Sequence, residues 1–156
     1  MLDKTVQVGK NVIIKPQVEL HYVTIGDNVK IGKNTTIFGS KDSQVIIEDD
    51  VYISPNCYFN GAFGLHIGKE VTFSVGVLIF TDSGPNVGPL TSYFPTQKAK
   101  IIIKNGCWIG AGSILLPGTE MEEASILASN STLKSRVKTY TIFGGNPAKL
   151  LKTIKK

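Results

Sequence analysis

The sequence has little histidine, cysteine or tryptophan, and each scarcity excludes a class of protein. Two histidines cannot supply the three imidazole ligands of a His₃ zinc site within one chain. Two cysteines do not make a disulfide-stapled domain, and no apolar run approaches the ~18 residues that span a membrane. Residues 1–10 contain no apolar segment of the signal-peptide kind. These absences predict a cytoplasmic protein with reduced cysteines, no metal and no membrane insertion.

Charge is also sparse. The 156 residues are 42% hydrophobic and 19% charged, which is typical of an ordinary folded chain, and we expect a single domain over residues 1–156. The net charge of +5 is spread along the sequence, apart from a basic C-terminal stretch. No segment interleaves basic with aromatic residues, so we predict no nucleic-acid partner. The basic stretch suits the phosphates of a small cofactor equally well.

A six-residue repeat dominates the sequence between residues 103 and 138. Large aliphatic residues recur every six positions, at Ile103, Ile109, Leu115, Met121, Leu127 and Leu133. Four positions after each comes a small residue, at Cys107, Ser113, Thr119, Ser125, Ser131 and Val137. This period fits neither an α-helix nor a simple strand. It is typical of hexapeptide repeats, in which three short strands close each triangular coil of a parallel β-helix.

The same repeat extends over most of the chain and predicts an all-β fold of about six coils. Its irregular steps all fall at the same corner of the coil, and insertions on one side of a solenoid often mark the binding face. The longest insertion, residues 84–100, is predicted to be a functional loop, with support of subunit packing as the alternative. Residues 147–156 have the spacing of a short amphipathic helix, with Leu150, Leu151 and Ile154 on one side.

Two motifs resemble those of a known family. The segment WIGAG at residues 108–112, with LPG at 116–118, and the segment GGNPAK at 144–149 resemble motifs of the bacterial hexapeptide-repeat acyltransferases. The resemblance is closest to the maltose, galactoside and capsule-type sugar O-acetyltransferases. It implies a left-handed parallel β-helix, a homotrimer, and acetyl transfer from acetyl-CoA to a hydroxyl of a sugar or polysaccharide precursor.

The resemblance also implies which residues contact the cofactor. Ala111 matches a residue whose backbone meets the pantetheine arm near the thioester, and Ser129 matches a further pantetheine contact one coil on. Lys134 lies one position from a basic residue of the family, and Lys149 matches the basic residue near the nucleotide end. Lysines suit phosphates, and an extended pantetheine arm suits a shallow groove lined by backbone.

The family's catalytic histidine is missing. Relatives have it at the start of the long loop, where it takes the proton of the acceptor hydroxyl, but residues 80–86 read FTDSGPN. Counting eighteen residues per coil predicts that His66 stacks below Gly84 and reaches the same pocket from one layer down. Alternatively, His66 is an outward-facing strand residue. Asp82 is the second candidate, either as a base with a raised pKa or as an acceptor ligand.

Three further residues are candidate acceptor ligands. Asn56 and Asn60 precede a smaller insertion at the same corner, although asparagines also stack as ladders in β-helices. Tyr93 lies within the long insertion. With these candidates, the resemblance implies an acetyltransferase that acts on a sugar hydroxyl. Two alternatives remain open: N-acetylation of an amino sugar, and a catalytically silent trimeric β-helix that binds a ligand or partner at this corner.

Overall fold

The computed structural model describes residues 3–154, which wind into a parallel β-helix with three flat faces. Face 1 contains β1 (Val6–Val8), β4 (Val23–Ile25), β7 (Val45–Ile47), β10 (Leu65–Ile67), β15 (Ile101–Ile103), β18 (Glu120–Met121) and β21 (Arg136–Val137). Face 2 contains β2 (Ile13–Ile14), β5 (Lys30–Ile31), β8 (Tyr52–Ile53), β11 (Thr72–Phe73), β16 (Trp108–Ile109), β19 (Ile126–Leu127), β22 (Thr141–Gly145) and β23 (Ala148–Thr153). Face 3 contains β3 (Glu19–His21), β6 (Thr36–Phe38), β9 (Tyr58–Asn60), β12 (Leu78–Phe80), β17 (Ile114–Leu115) and β20 (Thr132–Leu133).

The chain passes from face 1 to face 2 to face 3 in every complete coil, so its corners stack into three edges. We call them the 1–2, 2–3 and 3–1 edges after the faces they join. A separate antiparallel pair, β13 (Asp82–Ser83) and β14 (Gln97–Lys98), lies outside the three faces, and a single 3₁₀ turn spans Pro89–Ser92. No helix within residues 3–154 is long and apolar enough to cross a membrane.

The large aliphatic residues of the repeat fill the interior, as their six-residue spacing predicts. On face 1, Ile25, Ile47, Ile67, Ile103 and Met121 occupy successive parallel strands, and all five side chains are buried. Each coil therefore buries the same three columns of side chains against the coils above and below. The predicted parallel β-helix is confirmed, and it has the left hand that the family resemblance implies.

The small residues of the repeat lie inside the corners, where the chain turns sharply. The hydroxyls of Thr119 and Ser125 each donate a hydrogen bond of 2.7 Å to the carbonyl three residues earlier, at Leu116 and Glu122 respectively. Cys57 and Cys107 occupy equivalent buried positions and are free thiols. Burial raises the pKa of both thiols, which keeps them protonated. They are core residues, as the sequence predicted.

The solenoid has about seven coils, one more than the sequence predicted. The additional coil begins at Val137, which pairs with Met121 and continues the interior column of face 1. The six-residue spacing predicts that Val137 is one of the small corner residues, and that prediction is wrong. The repeat is shortened here, because only four residues separate Leu133 from Val137 instead of six. A strict six-residue count therefore places Val137 at a corner.

The insertions all lie on the 3–1 edge, as the spacing predicted. The longest leaves face 3 after Phe80, forms the β13–β14 hairpin and rejoins face 1 at Ile101. Its base is closed by the hydrogen bond from the Ala99 amide to the Thr81 carbonyl, at 2.9 Å. Because the hairpin begins and ends at one corner, it interrupts no strand of the three faces.

The predicted C-terminal helix over residues 147–156 is wrong. Ala148–Thr153 form β23, which pairs antiparallel with β22, and residues 155–156 lie outside the described part of the chain. Within residues 3–154 no further coil covers the last one, and unpaired strand groups on its upper edge favour a returning strand over a helix. Leu150 and Leu151, placed on the buried side of the predicted helix, are 56% and 62% exposed.

The interior columns should account for most of the folding stability. Ile79 and Ile46 carry the same side chain, but Ile79 is fully buried between Phe59 and Leu115 on face 3. Ile46 points outward from face 1 and is 41% exposed. We expect Ile79→Ala to lower the free energy of unfolding by about 2–5 kcal/mol through lost burial and a residual cavity. The matched Ile46→Ala change should cost less than about 1 kcal/mol. Urea unfolding at a single protein concentration measures both, and equal losses would contradict the assigned interior.

Candidate functional site

Asp82 and Asn60 form a hydrogen-bonded pair at the base of the insertion hairpin. The Asn60 amide nitrogen donates to the Asp82 carboxylate at 2.6 Å. The other end of the Asn60 amide accepts from the backbone N–H of Ala62 at 3.1 Å, which fixes the direction of its donor. Thr81 is fully buried between them, and its hydroxyl donates to the Asn60 carbonyl. A half-buried carboxylate is thereby held at the 3–1 edge, where it can accept a proton or bind a cationic group.

His66 lies on a different side of the molecule from this pair. The prediction that it stacks below Gly84 is wrong, because its parallel neighbours are Ile46 below and Ile102 above. The eighteen-residue count fails because the insertion begins before the chain reaches the next strand of face 1. Gly84 lies instead in the hairpin, close to Thr96.

His66 has a carboxylate partner that the sequence reasoning missed. Its Nε2 lies 2.6 Å from Oε1 of Glu48, and both side chains are half-buried. The pair borders a cavity of about 320 Å³ at the 1–2 edge, which Lys104 and Asn105 also line. Glu48 follows Ile47 and His66 precedes Ile67, so the alignment of these two isoleucines in adjacent coils was the available signal. A carboxylate–imidazole pair of this kind can orient a general base.

The second histidine serves a local contact near the N-terminus. His21 Nδ1 lies 2.8 Å from Asp3, and the imidazole is about half exposed. Hydrogen bonds from Thr5, together with this contact, lower the pKa of Asp3 to about 2. His21 is thus an exposed residue that makes a local contact with Asp3.

The predicted pantetheine contacts lie together on the 2–3 edge. Ala111 and Ser129 are exposed, at the same corner of successive coils, and the Asn130 amide donates to the Ala111 carbonyl at 2.8 Å. The preceding Gly110 packs so closely on the next coil that a Cβ there would lie 2.4 Å from the Ser129 backbone nitrogen. Small side chains and closely packed backbone therefore form a shallow, uncharged strip along this edge.

The GGNPAK segment closes the upper end of the same strip. Gly144 is buried against Ala128, where a Cβ would lie 2.9 Å from the alanine side chain. The Gly145 amide donates to the Ser131 hydroxyl at 3.0 Å. Lys149 pairs with Gly144 across β22 and β23 and is exposed. The segment thus places a lysine on β23, one strand beyond the coil that follows Ser129, at the end of the strip.

The structure separates Lys134 from the other three predicted cofactor residues. It follows β20 and lies exposed on the 3–1 edge, whereas the strip lies on the 2–3 edge. One face of the prism, about six residues and at most ~20 Å of chain, separates these edges. Within a single chain, Lys134 therefore belongs with the insertion hairpin and not with the strip.

The remaining candidates also lie on separate edges. Asn56 is on the 2–3 edge, where it accepts from the Asn34 amide at 3.2 Å. This contact is the asparagine ladder that the sequence offered as the alternative. Tyr93 is 77% exposed near the tip of the insertion, beside Phe94 and the 3₁₀ turn. Their roles in acceptor binding stay predictions.

Comparisons with known proteins agree with this geometry. Residues 5–39 match the family model of bacterial transferase hexapeptide repeats, and residues 100–135 match that of the hexapeptide repeat of succinyl-transferase. The chain is 32% identical over 135 residues to a Lysinibacillus sphaericus protein named "Probable macrolide acetyltransferase", with 86% of this chain and 65% of that protein covered. It is 23% identical over 148 residues to the galactoside O-acetyltransferase of Lactococcus lactis, with 95% of this chain and 63% of that protein covered.

A solved structure shares the fold over nearly the whole chain. It is a variant of AntD, an N-acyltransferase from Bacillus cereus, in complex with dTDP-4-amino-4,6-dideoxyglucose and coenzyme A. The TM-score is 0.85 at 23% identity, covering 96% of this chain and 84% of AntD. The chain spans just under two thirds of the length of the two sequence relatives above. Its hexapeptide repeats, at residues 5–39 and 100–135, are thus similar to those of hexapeptide-repeat transferases.

Proposed function

We propose that the protein is an acetyl-CoA-dependent acetyltransferase whose acceptor is a sugar or glycan precursor. The observation that carries this proposal is the strip of Gly110, Ala111 and Ser129 on the 2–3 edge, with Lys149 at its end. A pantetheine arm can lie along small side chains and backbone, and the lysine suits the phosphates of the nucleotide. The sugar acetyltransferase among the relatives, and the coenzyme A bound to AntD, support the same function.

The reaction requires an acceptor atom placed against the thioester and a group that takes its proton. The acceptor oxygen or nitrogen attacks the thioester carbonyl, the carbon–sulfur bond breaks, and coenzyme A leaves as the thiol. The strip fixes the thioester but offers no titratable side chain near Ala111, because neighbouring corner residues are glycine, serine, alanine, asparagine and valine. The proton acceptor must therefore come from another edge.

A homotrimer supplies that edge. Around a threefold axis, an edge of one subunit faces a different edge of the next. A cleft between subunits can then combine the strip of one chain with Asp82 or His66 of another, and it can bring Lys134 toward the cofactor. The exposed apolar side chains of the insertion, including Tyr93 and Phe94, suit contacts with a neighbouring subunit or with the acceptor's sugar ring.

The two candidate proton acceptors favour different acceptors. The His66–Glu48 pair suits a hydroxyl, whose proton must be removed during attack. The Asp82–Asn60 pair suits an amine, because a carboxylate binds the ammonium form and the free amine needs less help to lose its proton. O-acetylation is the main proposal. N-acetylation of an amino sugar is the second candidate. It is favoured because the corner with the insertion contains Asp82 and does not contain a histidine.

Trimer formation is tested by measuring the molecular mass of the protein in solution. Light scattering should give three times the 16.9 kDa chain mass, because the proposed site is complete only between subunits. A monomer at the concentrations used for activity measurements would contradict the shared site.

Cofactor binding is tested by filling the strip. Ala111→Phe should weaken acetyl-CoA binding by at least about tenfold, since an aromatic ring would occupy the shallow groove. Lys10→Phe adds the same ring to an exposed corner on the 1–2 edge in the first coil and serves as the control, with affinity unchanged. Calorimetric titration with acetyl-CoA measures both, and equal affinities for the two variants would remove the strip from the cofactor site.

The proton acceptor is identified by two substitutions assayed on two acceptor classes. Thiol release is followed with a panel of sugars and amino sugars. With a hydroxyl acceptor, His66→Ala should lower kcat by ~10²–10⁴-fold at unchanged acetyl-CoA affinity. With an amine acceptor, Asp82→Asn should cause the larger loss. If wild-type protein binds acetyl-CoA but acetylates neither class, the catalytically silent alternative is favoured.

A further inference from the structure

The charged residues of the solenoid are segregated by edge. Most acidic side chains lie at corners of the 1–2 edge, namely Asp27, Glu48, Asp49, Asp50, Glu70, Glu122 and Glu123. The corner segments of the 2–3 edge contain none: residues 15–18, 32–35, 54–57, 74–77, 110–113, 128–131 and 144–147 have no aspartate or glutamate. A ligand carrying negative charge therefore meets the least repulsion along the 2–3 edge.

A basic pocket lies on this edge, in the first three coils. The pocket is a surface cavity of about 250 Å³, lined by Lys15, Lys30, Lys33 and Tyr52 together with Pro16 and Pro55. Lys15 and Lys33 are at the same corner of successive coils, and Lys30 projects from the adjoining strand of face 2. We call it the Lys15–Lys33 pocket. Three lysines thus line one small cavity.

These three lysines have no acidic partner among the described residues. Lys69 and Lys104, by contrast, form ion pairs with Asp49 and Glu122 at 3.1 and 2.8 Å. Clustered cations repel one another, and a surface lysine with a nearby carboxylate gains modest stabilisation. The Lys15–Lys33 pocket lacks that local compensation, which an anionic ligand would provide.

The walls of the pocket are rigid. Gly32 is buried against the next coil, where a Cβ would lie 2.4 Å from the Pro55 nitrogen. Pro16 and Pro55 restrict the backbone on either side. The ammonium of Lys30 lies 5.4 Å from the centre of the Tyr52 ring, a cation–π contact that holds it near the cavity. The site is therefore largely formed before a ligand arrives.

We propose that the Lys15–Lys33 pocket binds a diphosphate group. Two linked phosphates carry enough charge for three lysines, and lysine binds phosphate oxygens through charge-assisted hydrogen bonds. The exposed part of the Tyr52 ring offers an apolar surface to a sugar or base attached to the diphosphate. Binding of the diphosphate stands on these contacts alone. Its assignment to a substrate of acetyl transfer rests on the function proposed above.

The diphosphate can come from coenzyme A or from a nucleotide-linked sugar acceptor, since both contain one. The pocket lies toward the N-terminal end of the 2–3 edge, whereas Lys149 and the GGNPAK segment lie toward the other end. At least one full coil, containing Ser74 and Val75, separates the pocket from Ala111. If acetyl-CoA extends from Ala111 toward Lys149, the Lys15–Lys33 pocket lies on the opposite side of the thioester, where the acceptor binds. A nucleotide-linked sugar is then the expected source of the diphosphate.

Inorganic pyrophosphate tests the pocket without requiring turnover. The double variant Lys15→Glu/Lys33→Glu is compared by calorimetric titration with Lys10→Glu/Lys41→Glu, which makes the same change in net charge at exposed positions on other edges. We expect the first variant to bind pyrophosphate at least about tenfold more weakly than wild type, and the second to stay within about twofold. Equal losses in both variants, or no binding by wild type at about 1 mM pyrophosphate, would overturn the site. Circular dichroism confirms that both variants are folded.

Titrations with dTDP and with coenzyme A then identify the source. Selective loss of dTDP affinity in Lys15→Glu/Lys33→Glu assigns the pocket to the acceptor, and selective loss of coenzyme A affinity assigns it to the cofactor. Loss of neither would overturn a role in substrate recognition. The Ala111→Phe titration reports separately on the proposed acetyl-CoA site, so failure of one proposal does not conceal failure of the other.

Discussion

The hydrogen-bonded register between successive coils constrains everything else in this molecule. Each strand pairs with the equivalent strand one coil above and one below, and each interior position must fill the same space as its neighbours. The perimeter of a coil is therefore fixed, and additional residues can leave only at a corner. In this protein the additional residues are inserted at the 3–1 edge. The length of that edge therefore varies between coils, while the interior columns keep their alignment.

The interior could be predicted from the sequence because the constraint repeats. Ile103, Ile109 and Leu115 specify one coil, and the next coil has to match it residue for residue. The prediction failed at the C-terminal end, where the constraint stops. Val137 follows a shortened repeat, and β23 pairs with the edge of β22 that faces away from the coil below. Sequence spacing for Leu150, Leu151 and Ile154 resembled a helix, but an open sheet edge determined the local structure.

The candidate site was less predictable because the distance between two residues depends on which edge each occupies as well as on which coil. The family resemblance placed Ala111 and Ser129 one coil apart, and they lie at the same corner of successive coils because no insertion separates them. Residue counting failed for His66 and Gly84 because the hairpin begins between their coils. Lys134 is only five residues from Ser129 in sequence, yet it lies on another edge. The Glu48–His66 pair was accessible from the alignment of Ile47 with Ile67, but only after the smaller insertion at the 3–1 edge had been allowed for.

The segregation of charge gives each edge a different chemistry. The 1–2 edge carries acidic side chains in ion pairs; hydrogen bonds from Lys104, and next from Arg136, lower the pKa of Glu122. The 3–1 edge carries the hairpin with Asp82. The 2–3 edge carries uncharged corners, with lysines near both ends. A long anionic ligand such as coenzyme A would be repelled along the acidic edge and obstructed by the hairpin. In the two proposals, acetyl-CoA and a phosphorylated acceptor approach each other along the 2–3 edge, with their charges at opposite ends and their reacting groups over the neutral middle.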